Sequence, residues 1–300
     1  MARPFPSPTK QWHSTTYASI SPTRPELSAA GKTILVTGGG TGIGAETALY
    51  FAKAGAVRIA LLGRREQPLL STKKLIQSQF PSIEIFVYST DVTKKYQVDA
   101  AFDKFFSTGD FKLDVLVSNA ASTGPVEPLT VVDPALFLEN VQQNIAASVY
   151  TAQAFVRHAA PEAVVVNVSS NAAHVNIAPA FHAYSVAKWA IYRVWDSLGF
   201  ALPNINVFHT QPGVVDTDMN KEAGGVKALG YEDDVSLPAS FHVWLASPEA
   251  RFLKNKFLYT SWDVDELKAR AKELKETAEL SLNLVGWPFD RPGWQAVWKS

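Results

Sequence analysis

The sequence contains no cysteine, which excludes disulfide bonds, thiolate catalysis and cysteine-ligated metal sites. It also has no excess of charge, because 28 Lys and Arg residues balance 28 Asp and Glu residues. A chain without a basic field is not expected to bind nucleic acid or an acidic membrane. No apolar run reaches the length of about eighteen residues that a membrane span needs. The six His residues lack metal-ligand spacing such as HExxH, so we expect no metal site.

The composition favours one large domain, because 47% of the 300 residues are apolar and can fill a single core. Residues 1–30 are rich in Pro, Ser and Thr and lack the apolar stretch of a signal peptide. We expect these residues to form an extended arm on the surface or against a partner subunit, in a protein of the cytosol. Residues 31–262 are predicted to form the main domain, and residues 263–300 a charged helix and a Trp-rich tail.

Short apolar, β-branched runs alternate with longer amphipathic segments along the chain. The predicted strands are Lys32–Thr37, Val57–Leu62, Ile83–Ser89, Leu113–Ser118, Ala163–Ser169, Ile205–Thr210 and Lys256–Thr260. The predicted helices are Gly42–Ala54, Glu66–Gln79, Lys94–Phe106, Asp133–His158, Tyr184–Leu202, Asp233–Ala246 and Asp263–Ala278. Continuously apolar strands separated by helices are typical of a parallel sheet covered on both faces. The pattern therefore predicts a doubly wound α/β fold with seven parallel strands.

The loop Thr37–Gly44 reads TGGGTGIG and lies between the first predicted strand and the first predicted helix. Glycine lets the backbone turn sharply and approach a pyrophosphate, whose charge then faces the helix N-terminus. An ordinary glycine-rich loop is the competing interpretation, but the placement between strand and helix favours dinucleotide binding. The predicted contacts are Gly38, Gly40, Thr41, Gly42, Ile43 and Gly44.

Two arginines, Arg64 and Arg65, follow the second predicted strand. In dinucleotide-binding folds an acidic residue at this point binds the ribose 2′-hydroxyl of NAD, whereas arginine pairs with the 2′-phosphate of NADP. We therefore expect NADP(H) in preference to NAD(H), with Arg64 as the better candidate. A solvated basic turn without a ligand is the alternative.

Polar or small residues also follow the third and fourth predicted strands. Asp91, followed by Val92, is placed to accept a hydrogen bond from the adenine amino group, and a helix N-cap is an equally good role for it. Asn119 and Ala120 are small enough to let the nicotinamide ribose approach, with a plain turn as the alternative.

Tyr184 and Lys188 are four residues apart on a predicted helix, so their side chains share one face. An ammonium group close to a phenol favours the phenolate, and we expect it to lower the pKa of Tyr184 towards neutrality. The fifth predicted strand ends in Ser169 and Ser170, at the sheet edge where ligands bind in open parallel sheets. A serine hydroxyl at this edge can hold a substrate carbonyl oxygen beside the tyrosine.

These motifs, in this order, resemble those of the short-chain dehydrogenase/reductase family over about residues 31 to 262. The resemblance implies that Asn144 is a fourth catalytic residue beside Ser170, Tyr184 and Lys188, anchoring a water that links Lys188 to solvent. It further implies that the segment after the sixth strand covers the nicotinamide and contacts the cofactor through Pro212, Gly213, Val215 and Thr217. The arm, the sequences TDVT and SWDVDEL and the Trp-rich tail are similar to those of fungal members that serve secondary metabolism.

The sequence departs from the family pattern at two positions. The family places its serine thirteen residues before the tyrosine, where this chain has Asn171. Ser170 is retained as the carbonyl-binding residue, because a one-residue loop insertion is easily accommodated, and Asn171 is the alternative. Thr41 stands where NADP-binding members often have a basic residue, which leaves Arg64 and Arg65 as the evidence for NADP.

The resulting hypothesis is the NADPH-dependent reduction of an apolar ketone or quinone-like small molecule, or the reverse oxidation, with Tyr184 as the proton donor. Non-redox chemistry such as isomerisation, dehydration or cyclisation is one alternative, and a nucleotide-sensing regulator is another. Pocket residues are expected after the strand ends, with core packing or a subunit contact as the alternative for each: Ser122, His174, Val175, Phe181, His182, Val214 and Met219. The tail around Trp287–Trp294 is a candidate lid.

Association into a homodimer or homotetramer is expected, because two long predicted helices are apolar on more than one face. The apolar residues concerned are Val149, Phe155, Trp189, Ile191, Trp195 and Leu198.

Overall fold

The structure is a computed structural model that describes residues 5–178, 180–222, 225–226 and 230–284. Its strands are Thr33–Thr37 (β1), Arg58–Gly63 (β2), Glu84–Ser89 (β3), Leu113–Ser118 (β4), Ala159–Val168 (β5), Asn206–Gln211 (β6) and Phe257–Tyr259 (β7). Its α-helices are Gly42–Lys53 (α1), Glu66–Gln79 (α2), Lys95–Phe106 (α3), Pro134–His158 (α4), His182–Ala201 (α5), Asp218–Glu222 (α6), Ser236–Ala246 (α7), Val264–Ala269 (α8) and Ala271–Glu276 (α9). Short 3₁₀ helices occur at Ala18–Ile20, Pro25–Leu27, Asn171–Ala173 and Pro248–Leu253.

The seven strands form one sheet in the order β3-β2-β1-β4-β5-β6-β7, and every neighbouring pair is parallel. The predicted doubly wound fold is confirmed. The direction of winding reverses between β1 and β4, and at such a reversal the loops on the carboxyl side of the strands separate to leave a crevice. Residues at the carboxyl ends of β1, β4 and β5 therefore meet in one place.

Apolar side chains cover both faces of the sheet, as the continuously apolar strands predict. On one face the sheet packs with α1 and α7, around large buried side chains that include Phe51 and Trp244. On the other face it packs with α3, α4 and α5, around Phe102, Phe155 and Trp195. No helix within the described ranges has both the length and the apolar character needed to cross a bilayer.

The N-terminal arm packs against its own chain. Ile20 and Leu27 are buried in the core beside α7, and Trp12 forms an isolated antiparallel bridge with Trp262. The His13 ring lies 2.8 Å from the carboxylate of Asp263, measured from Nε2 to Oδ2. The arm therefore packs against the segment around Trp262 and Asp263, where the sequence left open a surface or a partner subunit.

The predicted single helix Asp263–Ala278 is wrong, since the structure has two short helices, α8 and α9, in this region. The break is at Arg270, whose backbone (φ −104°, ψ 16°) leaves the helical region. Its guanidinium pairs with the carboxylates of Glu273 on α9 and Glu279 beyond it. The candidate lid Trp287–Trp294 lies outside the described residues.

Candidate active site

The glycine-rich loop between β1 and α1 is tightly packed. Gly38 has a φ of +70°, and a Cβ added to Gly44 would lie 2.2 Å from the carbonyl oxygen of Gly38, so neither position tolerates a side chain. The Asn119 amide, at the end of β4, donates to the carbonyl oxygens of Thr37 (3.1 Å) and Gly38 (3.4 Å). Asn119 therefore fixes the loop from the neighbouring strand, a role that its sequence position did not indicate.

A cleft of about 370 Å³ runs along the carboxyl ends of the strands. Most predicted cofactor and catalytic residues line it: Gly38, Gly40, Thr41, Gly42, Ile43, Arg64, Arg65, Asp91, Val92, Asn119, Ala120, Asn144, Tyr184, Lys188, Pro212 and Thr217. Gly44, Ser170, Gly213 and Val215 are not among the lining residues. The cleft is also lined by residues that no sequence motif indicated as site residues, among them Thr90, Gln143 and Asp218.

The two arginines after β2 differ in their contacts. Arg65 forms an exposed ion pair with Asp218, with 3.3 Å between Nη2 and Oδ2. Within the described ranges the Arg64 side chain has no hydrogen bond or ion pair, and its backbone carbonyl accepts a hydrogen bond from Ser89. Arg64 therefore presents its guanidinium to the end of the cleft that also contains Asp91.

Asp91 does not act as a helix N-cap. The residue that precedes α3 is Lys94, and no side chain caps this helix. Instead, Asp91 Oδ1 accepts hydrogen bonds from the backbone (3.0 Å) and hydroxyl (2.8 Å) of Thr93, which shapes the loop before the helix. Burial acts to raise the pKa of this carboxyl, but the bonds from Thr93 and the charge of Arg64 outweigh it and lower the pKa.

Tyr184 and Lys188 lie on the first turns of α5 and face the cleft. Lys188 Nζ donates to the carbonyl oxygen of Val168 at 2.8 Å and lies 5.5 Å from the centre of the Tyr184 ring. Burial lowers the pKa of Lys188 to about 8 and raises the pKa of Tyr184 to about 12. The expected shift of the Tyr184 pKa towards neutrality is therefore wrong, because the loss of solvent around the phenol dominates.

Ser170 lies near Tyr184, and its side chain acts to lower the Tyr184 pKa, but burial outweighs this effect. The Ser170 hydroxyl caps the 3₁₀ helix Asn171–Ala173 by accepting from the backbone of Ala172 at 3.2 Å. The Asn171 backbone donates to Gln211 Oε1 at 2.7 Å, and its side chain accepts from Ser170 Oγ at 3.3 Å. Ser170 and Asn171 both follow β5, and neither is among the residues that line the cleft.

Ser169 is a residue whose role the sequence did not separate from that of Ser170. It lines the cleft, and its hydroxyl is buried without a hydrogen-bond partner among the described residues. A buried unpaired hydroxyl costs free energy, so its presence at the cleft indicates that a bound molecule is its partner.

Asn144 is buried on α4 within a network of amides. Its side chain accepts from the backbone of Ser122 (3.2 Å) and donates to the carbonyl oxygens of Ser122 (3.1 Å) and Asn140 (3.0 Å). Asn140 in turn donates to the Ser122 hydroxyl at 2.9 Å. Asn144 therefore attaches the loop after β4 to α4 at the floor of the cleft.

The segment after β6 closes the other side of the cleft. Gly213 has a φ of +90° and lies against Asp233, where a Cβ would come within 2.7 Å of the carboxylate. The Thr217 methyl group packs against Gly42, since a Cβ on that glycine would lie 2.9 Å from it. Thr217 thus meets the glycine-rich loop across the cleft.

Of the residues expected to line a substrate pocket, Ser122 and Met219 lie in the cleft. The others are not among its lining residues: His174, Val175, Phe181, His182 and Val214. His174 instead hydrogen-bonds the Tyr259 hydroxyl (3.0 Å) and packs edge-on against Phe257. No three His, Asp or Glu side chains gather as metal ligands in the part of the chain that the structure describes.

A glycine-rich crevice at the reversal point of a parallel sheet, with a tyrosine–lysine–serine group beside it, is the architecture of a nicotinamide-dependent oxidoreductase. Residues 32–226 match the family described as short chain dehydrogenase. The chain belongs to this short-chain dehydrogenase/reductase family.

Related proteins cover nearly the whole chain. A short chain dehydrogenase/reductase of Aspergillus aculeatus, AacuD, is 33% identical over 285 residues, which are 94% of this chain and 98% of that protein. A short chain dehydrogenase/reductase of Claviceps purpurea is 31% identical over 274 residues, 90% of this chain and 91% of its own length. These relatives are fungal, as the narrower resemblance predicts.

A solved structure is similar in fold. It is a 7 alpha-hydroxysteroid dehydrogenase complexed with NADH and 7-oxo glycochenodeoxycholic acid, with a TM-score of 0.70 and 25% identity. The match covers 82% of this chain and 97% of that structure.

Proposed function

We propose that this protein is an NADPH-dependent reductase of an apolar ketone or quinone-like small molecule, and that it also catalyses the reverse oxidation. The observation that carries the proposal is the placement of Tyr184 and Lys188 together in the cleft, next to the end of β5 that bears Ser169 and Ser170. A hydroxyl donor next to a phenol is suited to bind and protonate one carbonyl oxygen.

The glycine-rich loop fits a dinucleotide. The close approach of Gly44 to Gly38, and of Gly42 to Thr217, leaves bare backbone where a pyrophosphate would lie. The unpaired Arg64 is our candidate for the 2′-phosphate, with Arg65 beside it, and Asp91 and Val92 would contact the adenine. We therefore propose NADP(H) as the cofactor rather than NAD(H).

NADPH, when bound, would supply the hydride. In our proposal Ser170 donates a hydrogen bond to the substrate oxygen, and Tyr184 gives its phenolic proton to that oxygen as negative charge develops there. A phenol with a raised pKa keeps its proton at neutral pH, so Tyr184 is protonated and able to act as the proton donor. The Lys188 ammonium stabilises the phenolate that remains, and Asn144 supports return of the proton to Tyr184.

The substrate class follows from the cleft and from one relative. The cleft presents more apolar than polar surface, including Ala147 and Met219. The hydroxysteroid dehydrogenase noted above binds a polycyclic ketone, though with NADH. By analogy with its fungal relatives, we propose that this protein acts in secondary metabolism, in the cytosol, with residues 31–262 as the catalytic domain between the arm and the tail.

We also propose a homodimer or homotetramer built on α4 and α5. Apolar side chains remain exposed on both helices, among them Leu138 (64%), Trp189 (46%) and Phe200 (88%). The other apolar residues named for these helices include Phe155, Ile191 and Trp195, which are buried in the protomer core. Light scattering tests the association, and a monomeric mass would refute it.

The test of the function is the consumption of NADPH with a panel of aromatic ketones and quinones, followed through nicotinamide absorbance. We expect at least one compound, for example phenanthrene-9,10-quinone, to be reduced, and expect Tyr184→Phe to lose about 10²-fold or more in kcat with unchanged NADPH binding. A Tyr184→Phe variant with near-normal turnover would disprove the assignment. Binding of NADPH without consumption by any compound would favour the regulator, and product formation without NADPH consumption the non-redox activity.

A further inference from the structure

The N-terminal arm contacts the segment that follows β6, which forms one side of the cleft. The Phe5 ring lies between Tyr231 and Tyr259, with centroid distances of 6.4 Å and 5.9 Å. Nine residues further on, the carbonyl oxygen of Ser14 accepts a hydrogen bond from the backbone of Asp234 at 2.7 Å. The arm is thus attached on both sides of Asp233.

The arm continues along the start of α7. The Thr16 backbone donates to Ser236 Oγ at 3.2 Å, and the Ser240 hydroxyl donates to Thr16 Oγ1 at 2.8 Å. Between Phe5 and Ser14 the arm is attached to α8, where the Glu266 carboxylate accepts from the Gln11 backbone at 2.8 Å. These contacts give the arm a fixed path along the chain rather than a loose position on the surface.

Asp233 transmits this attachment to the cleft. Its backbone donates to the carbonyl oxygen of Val214 at 2.7 Å, and its carboxylate accepts from the Val214 backbone at 2.8 Å. Asp233 is buried and rests directly on Gly213. The two bonds fix the backbone at the point where the chain leaves β6 for the cleft.

Hydrogen bonds also fix the backbone beyond Val214, up to the residues that form the cleft wall. The Asn220 side chain donates to the carbonyl oxygen of Val215 at 3.0 Å, and its backbone donates to Thr217 Oγ1 at 3.2 Å. Thr217 and Met219 line the cleft. A continuous chain of contacts therefore runs from Phe5 to the side chains that would face a substrate.

We infer that the N-terminal arm is a functional part of the active site, in which Phe5 and Asp233 are positioning residues that hold the cleft wall from Val214 to Met219 for substrate binding. The expected effect on substrate binding rests on the proposed reductase function. The attachment of the cleft wall to the arm does not depend on which reaction the protein catalyses.

Phe5→Ala in the full-length protein tests the attachment without a substrate. We expect hydrogen–deuterium exchange to rise about tenfold for the peptide that covers residues 212–221, because the bonds between Val214 and Asp233 open more often. Phe5→Leu, which keeps apolar contact with the two tyrosines, should restore most of the protection. The matched control is Tyr96→Ala, which removes an aromatic ring that is 71% exposed on α3, a helix that packs on the sheet face opposite the arm.

Exchange that is unchanged in Phe5→Ala, or that rises equally in Tyr96→Ala, overturns the inference. Two variants of Asp233 provide a second measurement on the same peptide. Asp233→Asn should keep the peptide protected from exchange, because its amide oxygen still accepts from the Val214 backbone. Asp233→Ala should lose that protection, as Phe5→Ala does.

The catalytic consequence is measured with NADPH and phenanthrene-9,10-quinone. We expect Phe5→Ala to raise the KM for the quinone about fivefold while kcat changes less than about twofold, and to raise the Kd for NADPH as well, because the same segment carries Val215 and Thr217. A fall in kcat with an unchanged KM in all Phe5 variants would point to a smaller folded fraction and reject the positioning role. If the wild-type protein does not reduce the quinone, the reductase proposal fails for that substrate, and the exchange result still decides whether the arm holds the wall.

Discussion

Lys188 donates a hydrogen bond from its ammonium group to the main-chain carbonyl of Val168 at 2.8 Å, so the last residue of β5 fixes the cation that lies beside Tyr184. Only 4% of the Lys188 surface is exposed, and the Val168 carbonyl is a neutral partner. A buried cation with a neutral partner loses its proton more readily than one in water, which is why its pKa falls to about 8.

The first prediction concerns the pH dependence of reduction. Because Lys188 is charged below its pKa and neutral above it, we expect kcat/KM for carbonyl reduction to fall as the pH rises above about 8. Tyr184, whose pKa is about 12, remains protonated in this range and does not cause the loss. Lys188→Arg keeps its charge and should give a profile without this fall, at lower activity. A wild-type profile that stays level to about pH 10 would contradict the assignment.

The second prediction separates Ser170 from Asn171 as the residue that holds the carbonyl. We expect Ser170→Ala to lower kcat by about 10²-fold, because it removes a donor aimed at the developing oxyanion. Asn171→Ala should cost less than about tenfold, because its side chain only accepts from Ser170. Ser170→Thr retains the hydroxyl and should recover part of the activity. The opposite order of effects would transfer the role to Asn171.

The third prediction concerns the exposed ion pair between Arg65 and Asp218. Asp218 pairs with the Arg65 guanidinium, which we propose also binds the 2′-phosphate of NADPH. The carboxylate and the phosphate therefore compete for the same cation. Asp218→Asn should therefore strengthen NADPH binding by about two- to fivefold, the range of an exposed pair, and leave NADH binding unchanged. Asp216→Asn is the matched control, since that carboxylate pairs with Lys221 instead. An equal gain for NADH, measured by titration of nucleotide fluorescence, would reject a role for Arg65 in binding the phosphate.

The fourth prediction concerns acid stability. His209 and His242 are fully buried, and burial lowers the pKa of each to about 3. In the unfolded chain each His takes up a proton near its ordinary pKa of about 6.5, so protons favour unfolding and stability is lost as the pH falls below that value. Each His should contribute a slope of about 1.4 kcal/mol per pH unit between about pH 6 and about pH 4.

His242→Gln should remove one such contribution from the slope. Glutamine keeps polar atoms that can bond Thr47 and Thr210, the two hydroxyl partners of the His242 ring. Urea unfolding at several pH values gives the slope for each variant, with His182→Gln as the control on the first turn of α5. The prediction fails if the slope of His242→Gln equals that of the wild-type protein.

The fold could be predicted almost completely from the sequence because its strands are buried on both faces and are therefore continuously apolar. The ends of strands are harder to predict than their centres. β5 begins at Ala159 rather than Ala163, because Ala159–Glu162 extend the strand beyond the buried core and lack its continuous apolar pattern. The break at Arg270 was also missed, since it depends on ion pairs with Glu273 and Glu279 rather than on a helix-breaking residue.

The candidate site was predictable where residues lie at strand ends or one helical turn apart. Tyr184 and Lys188 belong to this group, as does the glycine-rich loop. Three contacts could not be predicted, because each joins segments that only the fold brings together. They are the contacts of Asn119 with Gly38, of Asp233 with Val214, and of Phe5 with two tyrosines. The pKa of Tyr184 was mispredicted for a related reason, since the sequence shows its neighbours but not its loss of solvent.

The bond between His13 and Asp263 spans 250 residues, and this distance along the chain sets the order of events during synthesis. The ribosome synthesises the arm before its partner segment, so the bonds from the arm to Asp263 and Glu266 form only after the sheet between them has been made. A nascent chain that has completed all seven strands but not α8 already contains Tyr231 and Asp234, the partners of Phe5 and Ser14, but lacks Asp263 and Glu266. The arm therefore gains its full set of contacts only after α8 has been synthesised.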